Sequence, residues 1–453
     1  MIGAERLLTI LTAALAGSPG DQTEIVAEAI HQGVTRYAGS TIHQTTVLDD
    51  LHLRARVVVG KSVGEASGNT LSADAIRDLI QQALRVAQMR EPNPEFVSLP
   101  AGQPLPTVQG FDLATAELGS EERAKAIRTI TDLAAERGWT AAGTYISEGR
   151  EMAVVNSLGV RAYVPRSMAF LRALPDSGRG TGYADSLSWQ AADLDATDVA
   201  QRAIQGCERN HDAREVSPGE YVAIFGDLCV AECLSHLASQ GFNGQAYEEG
   251  RSFLSGRMGE RVMGANVTIW DDATDSRNLA AAADHEGVPK RKLPLVNEGI
   301  ACGVAYDSYT AYRVGKESTG HADGEVEANY YGPVPNNLFM QGGEATLDEM
   351  IRSTERGLLL TRFHYTHCPD PKRVVLTGTT RDGTFLIERG EIVGAVKNLR
   401  LTQSIPELFE GIEMLGPHRL CQDWWSSNGM GRTTSYCPPI KVSRAVFTSG
   451  TLF

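Results

Sequence analysis

The pattern of apolar residues changes at about residue 216, and this change limits the fold more than any other feature of the sequence. Before it, long amphipathic stretches alternate with strand-like runs. After it, short strand-like runs and glycine turns predominate. Helical and strand patterns that are segregated in this way are typical of α+β proteins. We therefore predict an amino-terminal α/β domain over residues 1–215 and a mostly antiparallel β domain with few helices over residues 216–453.

In the amino-terminal part, the order of the elements suggests an internal duplication. Apolar spacing predicts five helices, over residues 3–16, 22–33, 73–89, 121–137 and 196–210. Ser72 is the predicted N-cap of the helix over 73–89. Runs of β-branched residues predict five strands, over residues 41–47, 51–59, 140–145, 152–156 and 160–170. Asp49-Asp50 is the predicted turn between the first two strands. The order helix, strands, helix thus occurs twice, although no repeat is visible residue by residue.

Two connections stand out along the rest of the chain. Residues 90–107 contain five prolines and are predicted to be a long surface connection. In the carboxy-terminal part, a short strand over 221–225 and a helix over 227–239 come first. Turn residues then predict two β-hairpins, one at residues 381–384 and one at Arg389-Gly390.

The overall charge and the cysteines exclude several classes of protein. Lys and Arg number 42 and Asp and Glu number 56, giving a net charge of −14 with neutral histidines. Such a surface is unsuited to nucleic-acid phosphates or to anionic lipid. No run approaches the length of a membrane span, and residues 7–16 form a one-sided helical stripe rather than a secretory segment. The seven scattered cysteines indicate free thiols in a reducing compartment, so we expect a cytoplasmic protein with no nucleic-acid or membrane partner.

The predicted helix over 227–239 carries the main candidates for catalysis. Glu232 and His236 are four residues apart and therefore lie on one helical face. Metallopeptidase helices of the H-E-x-x-H kind stack two histidine ligands on one face, with the glutamate as general base. Here the position before the glutamate is Ala231, so a single imidazole and a single carboxylate remain. Catalytic zinc needs three protein ligands, so we expect no catalytic residue and no metal in this chain.

Two other groups of reactive residues are weaker candidates. His364, His367 and Cys368 stand close together, but the segment has a strand pattern in which neighbouring side chains point to opposite faces. Cys233 lies three residues before His236, so a cysteine–histidine pair is geometrically allowed on a helix. No third residue that would orient such a pair is evident in the sequence.

A series of distinctive blocks runs through nearly the whole chain in a fixed order. The most specific is residues 284–289, which read Asp-His-Glu-Gly-Val-Pro. The others lie at residues 42–44, 57–60, 250–262, 269–272, 294–296, 303–307, 317–320, 356–363, 376–387, 394–398 and 447–450. Together these blocks resemble the TldD/PmbA family, whose members were once labelled modulators of DNA gyrase.

This resemblance implies a two-subunit zinc peptidase in which only one subunit holds zinc. The zinc-binding subunit of the family carries an H-E-x-x-x-H helix and a cysteine as third ligand, whereas the TldE/PmbA-type subunit lacks them. Glu232 and His236 fall on the motif's glutamate and second histidine, and Ala231 replaces its first histidine. The family's ligand cysteine lies in a glycine-rich segment that resembles residues 427–431 here, which contain no cysteine. Cys421 and Cys437 lie before and after that segment.

The resemblance therefore implies a non-catalytic subunit, with zinc expected in a TldD-type partner. The heterodimer would enclose a cavity that admits unfolded peptides or peptide-like natural-product intermediates. Two alternatives stay open. One is a stand-alone hydrolase with an unusual site built from Glu232, His236 and one of the nearby cysteines. The other is a protein-binding modulator, as the older label suggests.

Overall fold

The computed structural model describes residues 1–324, 332–427 and 433–451, and in these residues most strands belong to three sheets. The first sheet consists of strands β1 to β6, which are Gln22–Ala38, Thr41–Val59, Ser62–Gly68, Thr140–Asn156, Arg161–Asp176 and Ala184–Ser188. Helices α1 to α5 accompany it and are Ala4–Leu15, Ala73–Met89, Leu113–Ala116, Ser120–Ala135 and Ala196–Arg209. The fold is α+β with mostly antiparallel pairing, as predicted.

The first sheet has the order β3-β2-β1-β4-β5-β6, and its two halves repeat one plan. Each half runs helix, three antiparallel strands, helix, and the halves join where β1 pairs with β4. One apolar cluster buries α1 and α2 against the first half, and a second buries α4 and α5 against the second half. This arrangement is the one that the predicted duplication requires.

Most of the predicted helices are present with their expected ends. Helix α2 spans Ala73–Met89, and the Ser72 hydroxyl accepts the Ala75 N–H as its N-cap. Helix α5 begins after Asp195, whose carboxylate accepts two N–H groups of the first turn. These helices were predictable because capping and amphipathic spacing are properties of the local sequence.

The prediction of a helix over residues 22–33 is wrong. These residues belong to β1, which lies in the middle of the sheet with β2 on one side and β4 on the other. Five consecutive residues, 23–27, are buried, so the strand has no solvent-exposed face there. The alanines and glutamates favour a helix locally, but pairing along both edges overrides that weak preference.

The predicted turn at Asp49-Asp50 is also absent. Strand β2 runs without interruption through both residues, which pair with His31 and Ile30 of β1. The chain reverses earlier, at Gly39 and Ser40, where both residues have positive φ. In the same way, β4 is one strand where two short ones were predicted.

Residues after 218 form the second and third sheets. The second sheet has the order β10-β9-β8-β11-β18-β17, built from Ile269–Asp271 (β8), Leu293–Asn297 (β9), Ile300–Ala301 (β10), Asn337–Met340 (β11), Arg419–Gln422 (β17) and Thr434–Cys437 (β18). The third has the order β12-β7-β19-β15-β13-β14, built from Gly219–Phe225 (β7), Arg356–Asp370 (β12), Val375–Glu388 (β13), Glu391–Ala395 (β14), Leu399–Ser404 (β15) and Ile440–Gly450 (β19), with Ile412–Leu415 (β16) beside β19. The helices are Asp227–His236 (α6), Gly244–Glu248 (α7), Ser308–Arg313 (α8), Leu347–Arg352 (α9), Ile405–Glu410 (α10) and Trp424–Ser427 (α11). The division at 215/216 stays a prediction.

One of the two predicted hairpins is confirmed. Arg389 and Gly390 both have positive φ and join β13 to β14 in a two-residue turn. The turn predicted at residues 381–384 is wrong, because these residues lie inside the continuous strand β13. Asp382 and Gly383 have positive φ there and shift the register against β12. Turn-type residues thus form a β-bulge here, which needs the same backbone freedom as a turn.

Buried ion pairs join the first sheet to the rest of the chain. Arg56 Nη2 lies 2.8 Å from Glu24 Oε1 and 3.1 Å from Glu286 Oε1. Glu24 is fully buried, and burial raises its pKa against the opposing effect of the arginines. On the same face, alanines of residues 273–283 pack against β4 and β5. Among the described residues, no helix is both long enough and apolar enough to cross a bilayer.

Candidate functional site

Helix α6, which carries the candidate residues, follows directly from β7 and lies within the core. All residues over 228–234 are buried. The first turn is fixed by an ion pair between Asp227 Oδ2 and Arg419 Nε at 2.5 Å. Arg419 also binds Asp185 of β6 through Nη1 at 2.7 Å. The helix is therefore held in place from both the first and the second sheet.

Glu232 and His236 lie on one helical face, as their spacing predicts, and both meet Thr366 of β12. The Thr366 hydroxyl donates a hydrogen bond to Glu232 Oε1, and its oxygen lies 3.1 Å from His236 Nε2. The backbone N–H of Trp424 donates to Glu232 Oε2 at 2.7 Å. Both carboxyl oxygens of Glu232 therefore already accept hydrogen bonds from the protein.

Burial favours the uncharged form of both candidate residues. Glu232 is 2 % exposed, and this burial, reinforced by the nearby Asp423 carboxyl, raises the pKa of Glu232 to about 8. Burial, with a further contribution from His367, lowers the pKa of His236 to about 4. Burial therefore disfavours the ionised carboxylate that a general base requires.

Asp423 is a second buried carboxyl group beside Glu232. Its Oδ2 accepts the Ser235 hydroxyl at 2.8 Å, and its Oδ1 accepts the Ser426 N–H at 2.9 Å. Burial raises the pKa of Asp423 as well. Asp423 therefore fixes the start of α11 against α6, and so it positions the Trp424 N–H that binds Glu232.

A β-bulge in β12 directs Thr366 towards Glu232. The register with β13 shifts between His364 and His367, and Tyr365 has a φ of 52°. Thr366 is fully buried as a result, whereas Tyr365 is 56 % exposed. Bulges commonly re-aim a side chain in this way.

The bulge also separates the side chains of the His364–Cys368 group. The imidazole of His364 packs edge-on against Trp424 at 5.1 Å between ring centres. The imidazole of His367 packs against Tyr365 at 4.6 Å. Cys368 Sγ lies 3.5 Å from the Asp370 carbonyl oxygen. These side chains do not converge on a common point.

The cysteines near α6 are buried. Cys233 is fully buried, and burial raises its pKa well above the ordinary value. The same holds for Cys421, while Cys437 donates to the Asp227 carbonyl oxygen at 3.5 Å. His236 binds Thr366, so the suggested pairing of His236 with Cys233 has no support in the geometry.

The donor set around α6 does not fit zinc. Ala231 supplies no donor atom and is 1 % exposed in the core. Residues 428–431 of the glycine-rich segment lie outside the described residues, and the described residues contain no group of three His, Cys, Asp or Glu that could hold a metal.

A narrow cleft of about 20 Å³ lies beside Glu232. Its walls include Arg362, whose guanidinium binds Asp382 at 2.5 Å and lies 4.4 Å from the ring centre of Tyr183. This volume is sufficient for about one water molecule. A peptide cannot enter it in this conformation of the chain.

The most distinctive block of the sequence, residues 284–289, forms a tight structural turn. Asp284 Oδ1 accepts the N–H groups of Glu286 and Val288, and Oδ2 accepts the Ala322 N–H. Gly287 has a φ of 74°, which explains why a glycine stands there. Burial, with the neighbouring Glu286 carboxylate, raises the pKa of Asp284 to about 7. Through Glu286 this turn reaches Arg56 in the first sheet.

Sequence reasoning did not identify three residues of the site: Thr366, Asp423 and Trp424. The missing signal for Thr366 is the bulge, because strand alternation alone does not predict which side chain it turns inward. Asp423 could have been identified as an N-cap, since it precedes a short run that ends at a glycine-rich segment.

The fold defines the class of protein to which the chain belongs. It superposes with a TM-score of 0.83 on TldE from Thermococcus kodakarensis, at 20% identity and covering 98% of this chain and 99% of that one. It superposes equally well, with a TM-score of 0.83, on a Thermotoga maritima protein described as a modulator of a DNA gyrase, at 17% identity and covering 98% and 99%. By its fold, the chain therefore belongs with TldE and the gyrase-modulator protein.

Sequence comparison identifies the family. The model of the PmbA/TldA metallopeptidase C-terminal domain matches residues 218–449, more than half of the chain. The chain belongs to the PmbA/TldD family. It is 27% identical over 241 residues to a metalloprotease TldD homolog of Haemophilus influenzae, covering 52% of this chain and 50% of that protein. It is 23% identical over 377 residues to metalloprotease PmbA of Escherichia coli O157:H7, covering 78% of each. The chain spans about half of the length of the TldD relatives that it matches.

Proposed function

We propose that this chain is the metal-free, non-catalytic subunit of a two-subunit zinc peptidase of the TldD/TldE kind. The observation that carries the proposal is the environment of Glu232, which is buried and hydrogen-bonded through both carboxyl oxygens, and whose burial favours the protonated form. The general base of a metallopeptidase must be ionised and must reach a metal-bound water. Glu232 is suited instead to fixing α6 against β12 and α11.

The partner in this proposal is a TldD-type subunit with a complete set of zinc ligands. Support comes from the family relatives, which are named metalloproteases, and from the absence of a donor atom at Ala231. The zinc and the nucleophilic water would belong to the partner. The substrates would be unfolded peptides or peptide-like natural-product intermediates, because a site enclosed between two subunits favours chains without a folded core.

The face beside α6 would contribute a wall to that enclosed site. The rings of Tyr365, Trp424 and Trp425 lie within 6.0 Å of one another, and Tyr365 is exposed to solvent. Aromatic rings bind extended peptides through apolar contact and lose little conformational freedom when they do so. We also infer a cytoplasmic location, since all seven cysteines are free thiols.

Metal analysis tests the proposal directly. The purified chain should contain no stoichiometric zinc, whereas its complex with a TldD-type subunit should contain about one zinc per heterodimer. Peptidase activity on an unstructured peptide should follow the zinc and be absent from the chain alone. About one zinc in the isolated chain, together with activity, would refute the proposal.

A pair of variants separates the proposal from a stand-alone hydrolase. In the complex, Glu232→Gln should leave the rate of peptide hydrolysis within about twofold of wild type, because Gln keeps both hydrogen bonds. Glu→Gln at the corresponding position of the TldD-type subunit should abolish activity, which makes it the matched control. If instead Glu232→Gln abolishes hydrolysis while the complex still assembles, Glu232 acts in catalysis.

A further inference from the structure

A cavity of about 70 Å³ lies where the first sheet meets the turn of residues 284–289. Strands β4 and β5 contribute part of its lining, and residues after 278 contribute the rest. It shares no lining residue with the cleft beside Glu232. At roughly 10–15 Å³ for each water-sized group, the cavity has room for about five non-hydrogen atoms. A small organic ion therefore fits, whereas a folded or extended peptide segment does not.

Much of this lining is apolar and belongs to the core. Five apolar side chains face the cavity, and each is at most 6% exposed: Met152, Val164, Ala281, Ala283 and Val334. Pockets for small ligands commonly combine such an apolar wall with a few polar groups that fix the orientation of the ligand.

The two acidic side chains of the lining already have partners. Both oxygens of Asp284 accept backbone N–H groups, as the 284–289 turn requires. Asp323 Oδ1 accepts the Gly324 N–H at 2.8 Å, and Asp323 Oδ2 accepts the Asn336 side-chain amide at 2.9 Å. His285 Nδ1 lies 4.0 Å from Asp323 Oδ1. These carboxylates thus hold the wall of the cavity together.

Lys290 differs from the acids, because its charge is not paired. It follows the 284–289 block directly, lines the cavity and is half-buried. Within residues 1–324, 332–427 and 433–451, its ammonium group forms no hydrogen bond and no ion pair. Burial and the Glu286 carboxylate raise the pKa of Asp284, and Lys290 opposes this rise, so the ammonium group lies near that carboxyl. An ammonium group has three N–H donors, and here all three are available.

We propose that this cavity binds a carboxylate of two or three carbons, with its charged head on the Lys290 ammonium group and its tail against the apolar lining. A charge-assisted hydrogen bond would then use the donors that the protein leaves unused. Arg166, which also lines the cavity, adds a second positive charge. A doubly charged anion such as phosphate fits less well, since Asp284 and Asp323 would repel its second charge.

Two sources can supply this chemistry, namely a free short-chain acid and the carboxyl end of a peptide whose last residue is small. In both cases the carboxylate and about two carbon atoms occupy the cavity. The proposal does not rest on the proposed function, because residues of this chain alone form the cavity and no zinc or partner subunit takes part.

Saturation-transfer NMR of the purified chain with sodium propionate is the first test. The methyl signal of propionate should saturate with a Kd below about 10 mM, a weak affinity suited to so small a ligand. Propionamide has the same five non-hydrogen atoms without the charge, and it should bind at least about tenfold more weakly. Lys290→Met should weaken propionate binding to the same extent. Lys292→Met is the matched control and should leave it unchanged, because Lys292 is exposed and its ammonium group lies 4.4 Å from the Trp270 ring centre.

A second comparison identifies the source of the ligand. N-acetylalanine that binds more tightly than propionate assigns the site to peptide ends, and weaker binding assigns it to free acids. Circular dichroism checks that the variants fold, and the comparison of propionate with propionamide needs no variant. The proposal is overturned if neither carboxylate binds the wild-type chain at about 20 mM, or if propionamide binds as well as propionate. Equal loss of binding in Lys292→Met and Lys290→Met overturns it too.

Discussion

Replacing Glu232 with Gln should make the folded chain more stable at alkaline pH. In the folded chain the Glu232 carboxyl keeps its proton up to about pH 8, whereas an unfolded chain releases it near the ordinary value of 4.5. Between these limits the folded state binds a proton that the unfolded state does not bind. The free energy of unfolding that this group contributes is therefore complete at low pH and is lost as the pH rises towards 8.

The size of this change in the free energy of unfolding follows from the one extra proton that the folded chain binds. Each pH unit within that window changes the free energy of unfolding by about 1.4 kcal/mol. From about pH 5.5 to about pH 7.5, Glu232 should thus remove roughly 3 kcal/mol of stability in the wild type. Gln does not titrate, and its amide can accept from the Trp424 N–H and donate to the Thr366 hydroxyl oxygen. The variant should match the wild type near pH 5 and exceed it near pH 8.

The assay is urea denaturation across this pH range, followed by tryptophan fluorescence and by far-ultraviolet circular dichroism. Buried carboxyls away from this site with raised pKa, such as Asp284, contribute to both proteins and cancel in the difference. Asp423 lies beside Glu232, so the difference between variant and wild type measures the titration of this pair of carboxyls. Glu121→Gln, on an exposed helix surface, is the control and should follow the wild-type profile. Parallel pH profiles for Glu232→Gln and wild type would refute the assigned buried, protonated carboxyl.

Three further perturbations test other parts of the structure. Arg56→Met should cost about 3–5 kcal/mol of stability in a denaturation experiment, because the buried Glu286 loses its counter-ion and the buried Glu24 keeps only Arg54. Arg77→Met, in an exposed pair, should cost less than about 1 kcal/mol. Gly287→Ala should be about 2 kcal/mol more destabilising than Gly315→Ala in the same measurement. Both glycines have positive φ, but only the first would bring a Cβ into another side chain. Ala231→His should not make the chain bind zinc in metal analysis, since at least one further protein ligand is still missing.

The sequence was a good guide wherever structure depends on neighbouring residues. Helix α2 has the predicted bounds and the predicted cap at Ser72, because capping involves residues three positions apart. Strand β1 was predicted as a helix because its burial depends on β2 and β4, which lie far away in the chain. The sequence of a segment does not by itself indicate whether strands pair with both of its edges.

In the candidate site as well, features set by neighbouring residues were predictable and features set by distant residues were not. The shared face of Glu232 and His236 follows from helical spacing and was predictable. Their common partner, Thr366, was not, because it is brought there by a bulge in a strand more than a hundred residues later. The missing donor at Ala231 can be read from the sequence through the resemblance to the family, but the protonated state of Glu232 requires knowledge of its burial.

The position of β7 in the third sheet affects how the chain can be synthesised and folded. Strand β7 pairs with β12 on one edge and, on the other, with β19, the last strand of the chain. During translation β7 and the apolar helix α6 emerge more than two hundred residues before β19 does. Closing so long a loop is slow, and β7 lacks one of its two neighbouring strands until then. We expect nascent or carboxy-terminally truncated chains to be bound by chaperones and degraded, even when the truncation spares every residue of the site.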